Sequence, residues 1–219
     1  MVTDPALTPA MEAARIILDG GAIHIRTDGE PFFFSSGWAS PVFIDLKRLI
    51  SVPAARGRLI DLMLGRIGET WGDENLNQIA GCELAGVPFA TLAADRLGLP
   101  LVIALKQARG FGRLSQCEGA FEPGARTLLV DDLTTDGRTK ANFKEALERA
   151  QADVVGIFVL LNYGIFPATP EIQSLTGLTD IIAAADAAGS LGSAALTEIK
   201  SFADDAPRWS RLHGGIGAP

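Results

Sequence analysis

The chain has 219 residues, enough for one sizeable domain, and with 47% hydrophobic and 21% charged residues its composition is that of a globular protein. Its net charge of −7 argues against a nucleic-acid-binding protein, because such proteins usually carry a basic surface. Two cysteines and two histidines are too few for a disulfide framework or a zinc cluster. We expect a cytoplasmic protein that contacts no membrane, since the acidic N-terminus is unlike a signal peptide and no apolar run approaches membrane-spanning length.

The N-terminal quarter begins with a predicted helix, because Thr8 followed by Pro9 is typical of a helix start. A short strand at 22–26 follows. Residues 31–51 (PFFFSSGWASPVFIDLKRLIS) are rich in aromatic and small residues. On composition alone this segment is either a hairpin that packs its phenylalanines into a core or a loop that passes close to a ligand. A second helix is predicted from Pro53.

The middle of the chain contains two loops that follow predicted strands. Residues 81–88 (GCELAGVP) come after a short strand, where ligands bind in open α/β sheets, although a plain connection fits equally well. A buried strand is predicted at 99–105. Residues 106–119 (KQARGFGRLSQCEG) are basic and rich in glycine in an acidic chain. This segment is either a lid that covers a polyanion or a solvated surface loop.

The most informative stretch is 126–140 (RTLLVDDLTTDGRTK). Its apolar run is typical of a buried parallel strand, which we expect to stop at Asp131 and Asp132. The turn 134–139 then leads into a helix, whose free N–H groups and neighbouring threonine hydroxyls would bind a phosphate. The carboxylates would suit sugar hydroxyls or a metal ion, whereas an ordinary capped turn is the plain alternative. The predicted buried stripe of the helix is Ala141, Phe143, Ala146 and Leu147.

The C-terminal third has weaker patterns. An apolar strand is predicted at 154–162 and a less distinct one at 172–178. Asp180 is predicted to cap an alanine-rich helix that ends at Gly189, and a last helix is predicted at 193–202. We expect the tail beyond this helix to be partly ordered by Trp209.

Three of these segments resemble motifs of one enzyme family. Residues 128–139 (LLVDDLTTDGRT) are similar to the phosphoribosyl diphosphate (PRPP) signature of type I phosphoribosyltransferases. Residues 32–45 (FFFSSGWASPVFID) resemble the entry motif of orotate phosphoribosyltransferases, and residues 106–119 match the catalytic loop of that family in position and in their SQCEG ending. The resemblance covers most of the chain, with 31–166 carrying the specific motifs.

The resemblance implies an α/β protein with the type I phosphoribosyltransferase fold. In this fold a central, mainly parallel sheet is flanked by helices and carries a small N-terminal hood. We expect a single domain over 1–219: the N-terminal helix and hood to about residue 50, the α/β core at about 51–166, and a C-terminal strand and helices at about 167–219.

The function implied by the resemblance is transfer of a phosphoribosyl group from PRPP to orotate, giving orotidine monophosphate and diphosphate in pyrimidine nucleotide biosynthesis. In that family the loop enters the active site of the partner subunit, so a homodimer is implied, and Mg²⁺ is held mainly by PRPP rather than by protein ligands. The implied catalytic residues are Asp131, Asp132 and Lys106; the PRPP-binding residues are Lys106, Arg109, Asp131, Asp132, Leu133, Thr134, Thr135, Asp136, Gly137, Arg138 and Thr139; the base-binding residues are Phe43 and Thr135.

The chain also departs from the family pattern. Leu105 replaces an arginine, Arg109 a lysine and Phe111 a histidine of the loop. Asp136 stands where the turn normally has alanine or threonine; it would either repel the phosphate, with Arg138 compensating, or point away as a helix cap. Two alternatives therefore stay open: a diverged paralogue that binds PRPP or a nucleotide without chemistry, and a phosphoribosyltransferase for another base. An Asn162–Tyr163 pair stands where some relatives place an arginine on orotate.

Overall fold

The computed structural model describes residues 7–108, 115–120, 122–166 and 171–218. No helix of this described part is both long and apolar enough to cross a membrane. In chain order the elements are α1 Pro9–Asp19, β1 Ile23–Ile25, β2 Phe32–Phe33, β3 Ala39–Ser40, β4 Val42–Ile44, the 3-10 helix Leu46–Ser51, α2 Pro53–Trp71, the 3-10 turn Asp73–Asn75, β5 Gln78–Cys82, α3 Gly86–Leu97, β6 Leu101–Ala104, β7 Cys117–Glu118, β8 Arg126–Thr134, α4 Arg138–Arg149, β9 Asp153–Asn162, β10 Gln173–Gly177, α5 Leu178–Ala188, α6 Ser193–Asp204 and α7 Ala206–Leu212.

A six-stranded sheet forms the centre of the protein, in the order β10-β9-β8-β5-β6-β7. The first five strands in this order run parallel and the short edge strand β7 is antiparallel. Helices cover both faces, so the central strands are largely buried, and Leu128, Leu129 and Val130 of β8 are fully buried. The predicted α/β architecture with a mainly parallel sheet is confirmed.

Strand β8 runs further than its sequence indicates. The predicted strand stops at the two acids, whereas the observed strand continues to Thr134. The reason is a neighbouring strand: Asp131 pairs with Val159 and Leu133 with Leu161 of β9, so the backbone stays extended past the acids. Both carboxylates therefore belong to the last residues of a central strand rather than to the loop after it.

The N-terminal hood, residues 23–51, consists of two small antiparallel pairs, β1 with β4 and β2 with β3, followed by the first 3-10 helix. Its fully buried aromatic residue is Trp38, whereas Phe33 and Phe43 are 62% and 36% exposed. The interpretation of this segment as a hairpin that buries its phenylalanines is thus wrong for those two residues, which remain at the surface.

The C-terminal segment is hydrogen-bonded to the hood. Helix α7, which the sequence did not predict, follows Asp205, whose carboxylate accepts the N–H of Arg208. Ser210 Oγ accepts the N–H of Ala39 at 3.0 Å, and the N–H of Ile216 donates to Gly37 O at 3.0 Å. The tail is thus a structural part of the hood.

The other C-terminal predictions are met with one shift. Strand β10 and helix α5 form as expected, and α5 ends at Gly189. Asp180 lies inside the first turn of α5, and its Oδ2 accepts the N–H of Gly177 at 2.9 Å. The Asp180 carboxylate thus accepts the N–H of the N-cap residue from a position within the first turn of the helix.

Candidate active site

A cleft of about 400 Å³ lies over the carboxyl ends of β5 and β8, between the sheet and the hood. Parallel α/β sheets bind ligands at this edge, because several loops converge there. The lining residues come from the hood (Phe33, Phe34, Ser35, Ser36, Phe43, Ile44, Lys47), from the loop after β5 (Glu83, Leu84, Ala85), from the segment after β6 (Lys106) and from the end of β8 with the following turn and helix (Asp131, Asp132, Leu133, Thr134, Thr135, Asp136, Gly137, Thr139, Lys140, Phe143), and include Tyr163.

The structure brings most of the predicted site residues together in this cleft. Arg138 does not line it, and Arg109 and Phe111 lie outside the described residues. Predicted residues in the cleft wall are Phe43, Lys106, Asp131, Asp132, Leu133, Thr134, Thr135, Asp136, Gly137 and Thr139.

The two adjacent carboxylates are almost completely buried, with 5% of Asp131 and 7% of Asp132 exposed. Asp131 Oδ1 accepts the N–H of Asp132 at 2.9 Å, and Asp132 Oδ1 accepts the N–H of Leu133 at 2.8 Å. Burial, and then the charge of Asp131, raises the pKa of Asp132 to about 7. Two neighbouring acids are thereby held in fixed positions at the floor of the cleft.

A buried lysine supports this acid pair. Lys140 Nζ lies 2.5 Å from Asp131 Oδ2, and both side chains are more than nine-tenths buried. Burial is the largest single influence and disfavours the charged form of Lys140, but the charge and hydrogen bond of Asp131, with smaller contributions from Cys82 and Asp132, together raise the pKa of the ammonium group. The predicted stripe of α4 is buried at Phe143, Ala146 and Leu147, whereas Ala141 is only partly buried and Lys140 takes its place.

Gly86, at the start of α3, permits close packing behind Asp131. A Cβ atom at this position would lie 2.6 Å from Val130 O and 2.8 Å from Asp131 Cα. Backbone contacts at this distance leave no room for any side chain. The loop after β5 is therefore fixed directly against the acid pair.

The turn 134–139 has the backbone that an anion site requires. Gly137 adopts a positive φ of 79° and forms the N-cap of α4 without a side chain to accept the helical N–H groups. Thr135, Gly137 and Thr139 all line the cleft, so the N-terminus of α4 lies at the cleft wall.

Asp136 is turned into the protein, with 3% exposed. Its Oδ2 accepts hydrogen bonds from Trp38 Nε1 at 3.0 Å and from Arg138 Nε at 2.9 Å, and its Oδ1 accepts the N–H of Arg138 at 3.2 Å. A second nitrogen of Arg138 donates to Ser36 O at 2.7 Å. Asp136 is both neutralised by Arg138 and used as a cap, so the two ways of accommodating it that the sequence left open occur together.

After β6, Lys106 lines the cleft but the preceding residue, Leu105, does not. The N–H of Lys106 donates to Glu83 Oε2 at 2.8 Å, which ties this segment to the loop after β5. Leu105 is 6% exposed and its N–H donates to Gln116 O at 2.8 Å. The Leu105 side chain is therefore packed inside the protein.

Several cleft residues were missed by the sequence reasoning. Tyr163 is buried against Phe34, with ring centroids 5.6 Å apart, and burial raises the pKa of its hydroxyl. Ser36 Oγ is buried without a hydrogen-bond partner among the described residues. Lys47 lies 2.8 Å from Asp45 and 6.0 Å from the ring of Phe43. The only signal in the sequence was their proximity to motif residues, which does not indicate where a side chain points.

Comparison with known proteins gives the family. Residues 54–184 match the model of the phosphoribosyl transferase domain. An orotate phosphoribosyltransferase of Cereibacter sphaeroides (strain KD131 / KCTC 12085) is 40% identical over 204 residues, which cover 90% of this chain and 88% of the relative. The chain belongs to the orotate phosphoribosyltransferases. Another member, from Jannaschia sp. (strain CCS1), is 39% identical and covers 92% of both chains.

Solved structures agree with this orotate phosphoribosyltransferase assignment. The crystal structure of orotate phosphoribosyltransferase from Aeropyrum pernix superimposes with a TM-score of 0.67 at 27% identity, covering 82% of this chain and 99% of that chain. A Leishmania donovani UMP synthase structure shares the fold, with a TM-score of 0.76 at 23% identity over 89% of this chain and 42% of that one. The family resemblance and the fold predicted from the sequence motifs are both confirmed.

Proposed function

We propose that this orotate phosphoribosyltransferase transfers the phosphoribosyl group of PRPP to a ring nitrogen of orotate, releasing diphosphate. The observation that carries the proposal is the buried acid pair at the end of β8, followed directly by the turn 134–139, in a cleft that the hood covers. The acid pair and the turn lie side by side, as the ribose and its 5-phosphate do in PRPP.

The acid pair would bind the ribose. Ionised carboxylates accept hydrogen bonds, so Asp131 and Asp132 would hold the 2- and 3-hydroxyls. As diphosphate leaves, positive charge develops at C1 of the ribose, and negative charges preorganised in a buried site stabilise that charge strongly. Their burial makes this stabilisation larger than it would be in water.

The turn would bind the phosphate. The N-terminus of α4 after Gly137 offers backbone N–H groups, and Thr134, Thr135 and Thr139 offer hydroxyls. The charge of Asp136 is neutralised within the protein by Arg138, which reduces its repulsion of a phosphate. Arg138 does not line the cleft and would support the phosphate site indirectly. Its guanidinium donates to Ser36 O and its backbone N–H donates to Asp136 Oδ1.

The base and the leaving group would lie on opposite sides of the acid pair. Phe43 is 36% exposed and lines the cleft from the hood, where a flat ring can stack on it, with Thr135 below. Lys106, whose N–H donates to Glu83, lines the cleft where diphosphate would depart. The family resemblance implies that Arg109, which lies outside the described residues, would also contact diphosphate.

Mg²⁺ would enter this site bound to PRPP, as the family resemblance implies. Among the described residues there is no group of three or more His, Cys, Asp or Glu side chains arranged to hold a metal. Lys106 and Glu83 would lie beside a Mg²⁺–diphosphate complex, and the ion, when bound, would neutralise the leaving group.

We further propose a cytoplasmic homodimer in which the loop 106–119 of each subunit closes the partner's cleft, as the family resemblance implies. The exposed apolar side chains of Leu84 (74%) and Phe33 (62%) at the rim support a cover of this kind. Analytical ultracentrifugation of the purified protein tests the dimer, and a monomer at micromolar concentration would contradict it.

A turnover assay tests the function. Purified protein with PRPP, orotate and Mg²⁺ is expected to form orotidine monophosphate, and Asp132→Asn should lower kcat by at least about 100-fold because it removes a charge at the reacting centre. The matched control is Asp153→Asn, at the exposed opposite end of the sheet, which should leave kcat unchanged. PRPP binding without turnover would instead indicate a non-catalytic sensor. Turnover with a different base from a panel, and not with orotate, would show that the substrate is that other base.

A further inference from the structure

Lys140 occupies a position that is unfavourable for a lysine. It is the third residue of α4, close to the helix N-terminus, where the helix dipole disfavours a positive charge. It also replaces an apolar residue in the buried stripe, with 6% exposed. A buried ammonium group destabilises a protein strongly unless a carboxylate pairs with it. Neither helix formation nor core packing therefore explains this residue.

Lys140 contacts the acid pair at the floor of the proposed sugar site. Its Nζ lies 2.5 Å from Asp131 Oδ2, while the other oxygen of Asp131 accepts the N–H of Asp132. Both oxygens of Asp131 are thus engaged, and Gly86 packs directly behind the same residue. The ion pair fixes the orientation of Asp131, whose Oδ1 also accepts the backbone N–H of Asp132, while the Asp132 carboxylate accepts the N–H of Leu133.

We propose that Lys140 is a positioning residue for phosphoribosyl transfer, whose ion pair with Asp131 keeps the acid pair oriented to accept hydrogen bonds from the ribose. The inference rests on the proposed function, because it assigns a role within the same sugar site. Lys140 acts through Asp131 and need not touch the substrate itself.

The charges around the pair support this role. Two adjacent buried carboxylates without a cation tend to share one proton, since each disfavours the ionisation of the other. Lys140 opposes this effect and lowers the pKa of Asp132, which burial and Asp131 raise. The other titratable groups that face the pair are Cys82 of β5 and Tyr163, the residue after β9, and both are kept neutral because burial raises the pKa of each. The side chains of Lys47, Glu83, Lys106 and Asp136 line the rest of the cleft.

The test compares three variants across a range of pH. Lys140→Met removes the charge and keeps the length, Lys140→Arg keeps the charge, and Lys144→Met removes an exposed lysine one turn further along the same helix. The measurements are kcat and KM for PRPP between pH 6 and 9.5, with circular dichroism to verify folding.

Lys140→Met is expected to lower kcat/KM for PRPP at pH 7 by roughly 10- to 100-fold, because Asp131 loses the partner that orients it and Asp132 binds a proton more readily without the nearby ammonium group. The acidic limb of the pH profile of kcat/KM should move to higher pH by at least about one unit in Lys140→Met, so that part of the activity returns at high pH. Lys140→Arg should keep the wild-type limb, and Lys144→Met should match the wild type throughout. A uniformly scaled profile for Lys140→Met, or equal limbs for the Met and Arg variants, would overturn the proposal.

Two further outcomes distinguish a failure of this proposal from a folding defect and from a failure of the proposed function. If Lys140→Met does not fold, the Arg variant decides, since a shifted acidic limb despite a retained charge would contradict the inference. If the wild type shows no turnover but binds PRPP in calorimetry, the proposed function fails, and the same pH comparison of PRPP affinity then tests Lys140. An acidic limb of binding that does not move in Lys140→Met would sink the inference in that case.

Discussion

Trp38 Nε1 donates a hydrogen bond to Asp136 Oδ2 over 3.0 Å, and this bond joins the hood to the turn 134–139. The two residues are 98 positions apart in the sequence, and both are buried. Arg138 adds a second link, because it pairs with Asp136 and donates to Ser36 O. The proposed base site and the proposed phosphate site are therefore connected by protein groups, so a change in one should be measurable at the other.

Trp38→Phe removes the N–H donor and keeps an aromatic ring in the core. We expect the free energy of unfolding to fall by about 1–3 kcal/mol, because a buried carboxylate loses a partner. The KM for orotate should rise as the hood loosens, while Trp209→Phe, which breaks a similar hydrogen bond to Glu198 away from the cleft, should leave KM unchanged. Urea denaturation and steady-state kinetics measure both effects. Equal orotate KM values for the two variants would contradict the link.

Asp136→Ala removes the carboxylate from the turn 134–139. At about 5 Å and an effective dielectric constant of about 20, repulsion between a lone carboxylate and a phosphate would be roughly 3 kcal/mol. Because Arg138 and Trp38 already engage the carboxylate, we expect the substitution to weaken PRPP binding or leave it unchanged, and to lower stability. Calorimetric titration with PRPP measures this, and a markedly tighter Kd would show that repulsion dominates instead.

Gly86→Ala tests the close packing behind Asp131. The new Cβ would collide with Val130 O and the backbone of Asp131, and overpacking of this kind costs about 1–3 kcal/mol. We expect lower stability together with a lower kcat, because Asp131 must shift. Gly57→Ala is the matched control: nothing lies within 4 Å of its Cβ, and replacing a helical glycine should stabilise the protein by about 0.5–1 kcal/mol. Similar denaturation midpoints for both variants would refute the packing argument.

Much of this site could be predicted from the sequence, because its motifs are local. The acid pair, the threonine turn and the strand before them are consecutive in the chain, and the structure keeps them together in one cleft. Contacts between distant segments could not be predicted. The extension of β8 to Thr134 depends on pairing with β9, and the burial of Lys140 depends on Asp131, since a helical pattern alone assigns a lysine to the solvent side.

The hood shows the same limit. Its sequence indicated a loop close to a ligand, but its attachment to α7 through Ser210 and to the turn through Trp38 depends on residues that are far apart in the chain. Helix α7 itself had a local signal, since Asp205 precedes Ala206 and a proline, a typical helix start.

Asp132→Asn should stabilise the protein although it lowers kcat. The fold raises the pKa of Asp132 to about 7, so the folded state holds a proton that the unfolded state releases near pH 4. Stability contributed by this group is therefore lost as pH rises from about 4 to about 7 and stays low above that range. We expect Asp132→Asn to exceed the wild type in free energy of unfolding by about 1–3 kcal/mol at pH 8, with little difference near pH 4. A wild-type advantage at pH 8 would contradict the assigned pKa.

The most direct test of the account is a crystal structure of the wild-type protein with PRPP and Mg²⁺. We expect the 2- and 3-hydroxyls of the ribose within hydrogen-bonding distance of Asp131 and Asp132, and the 5-phosphate against the N–H groups of the turn 134–139. A 5-phosphate bound elsewhere, with the turn empty and the two carboxylates facing only protein, would contradict the central claim.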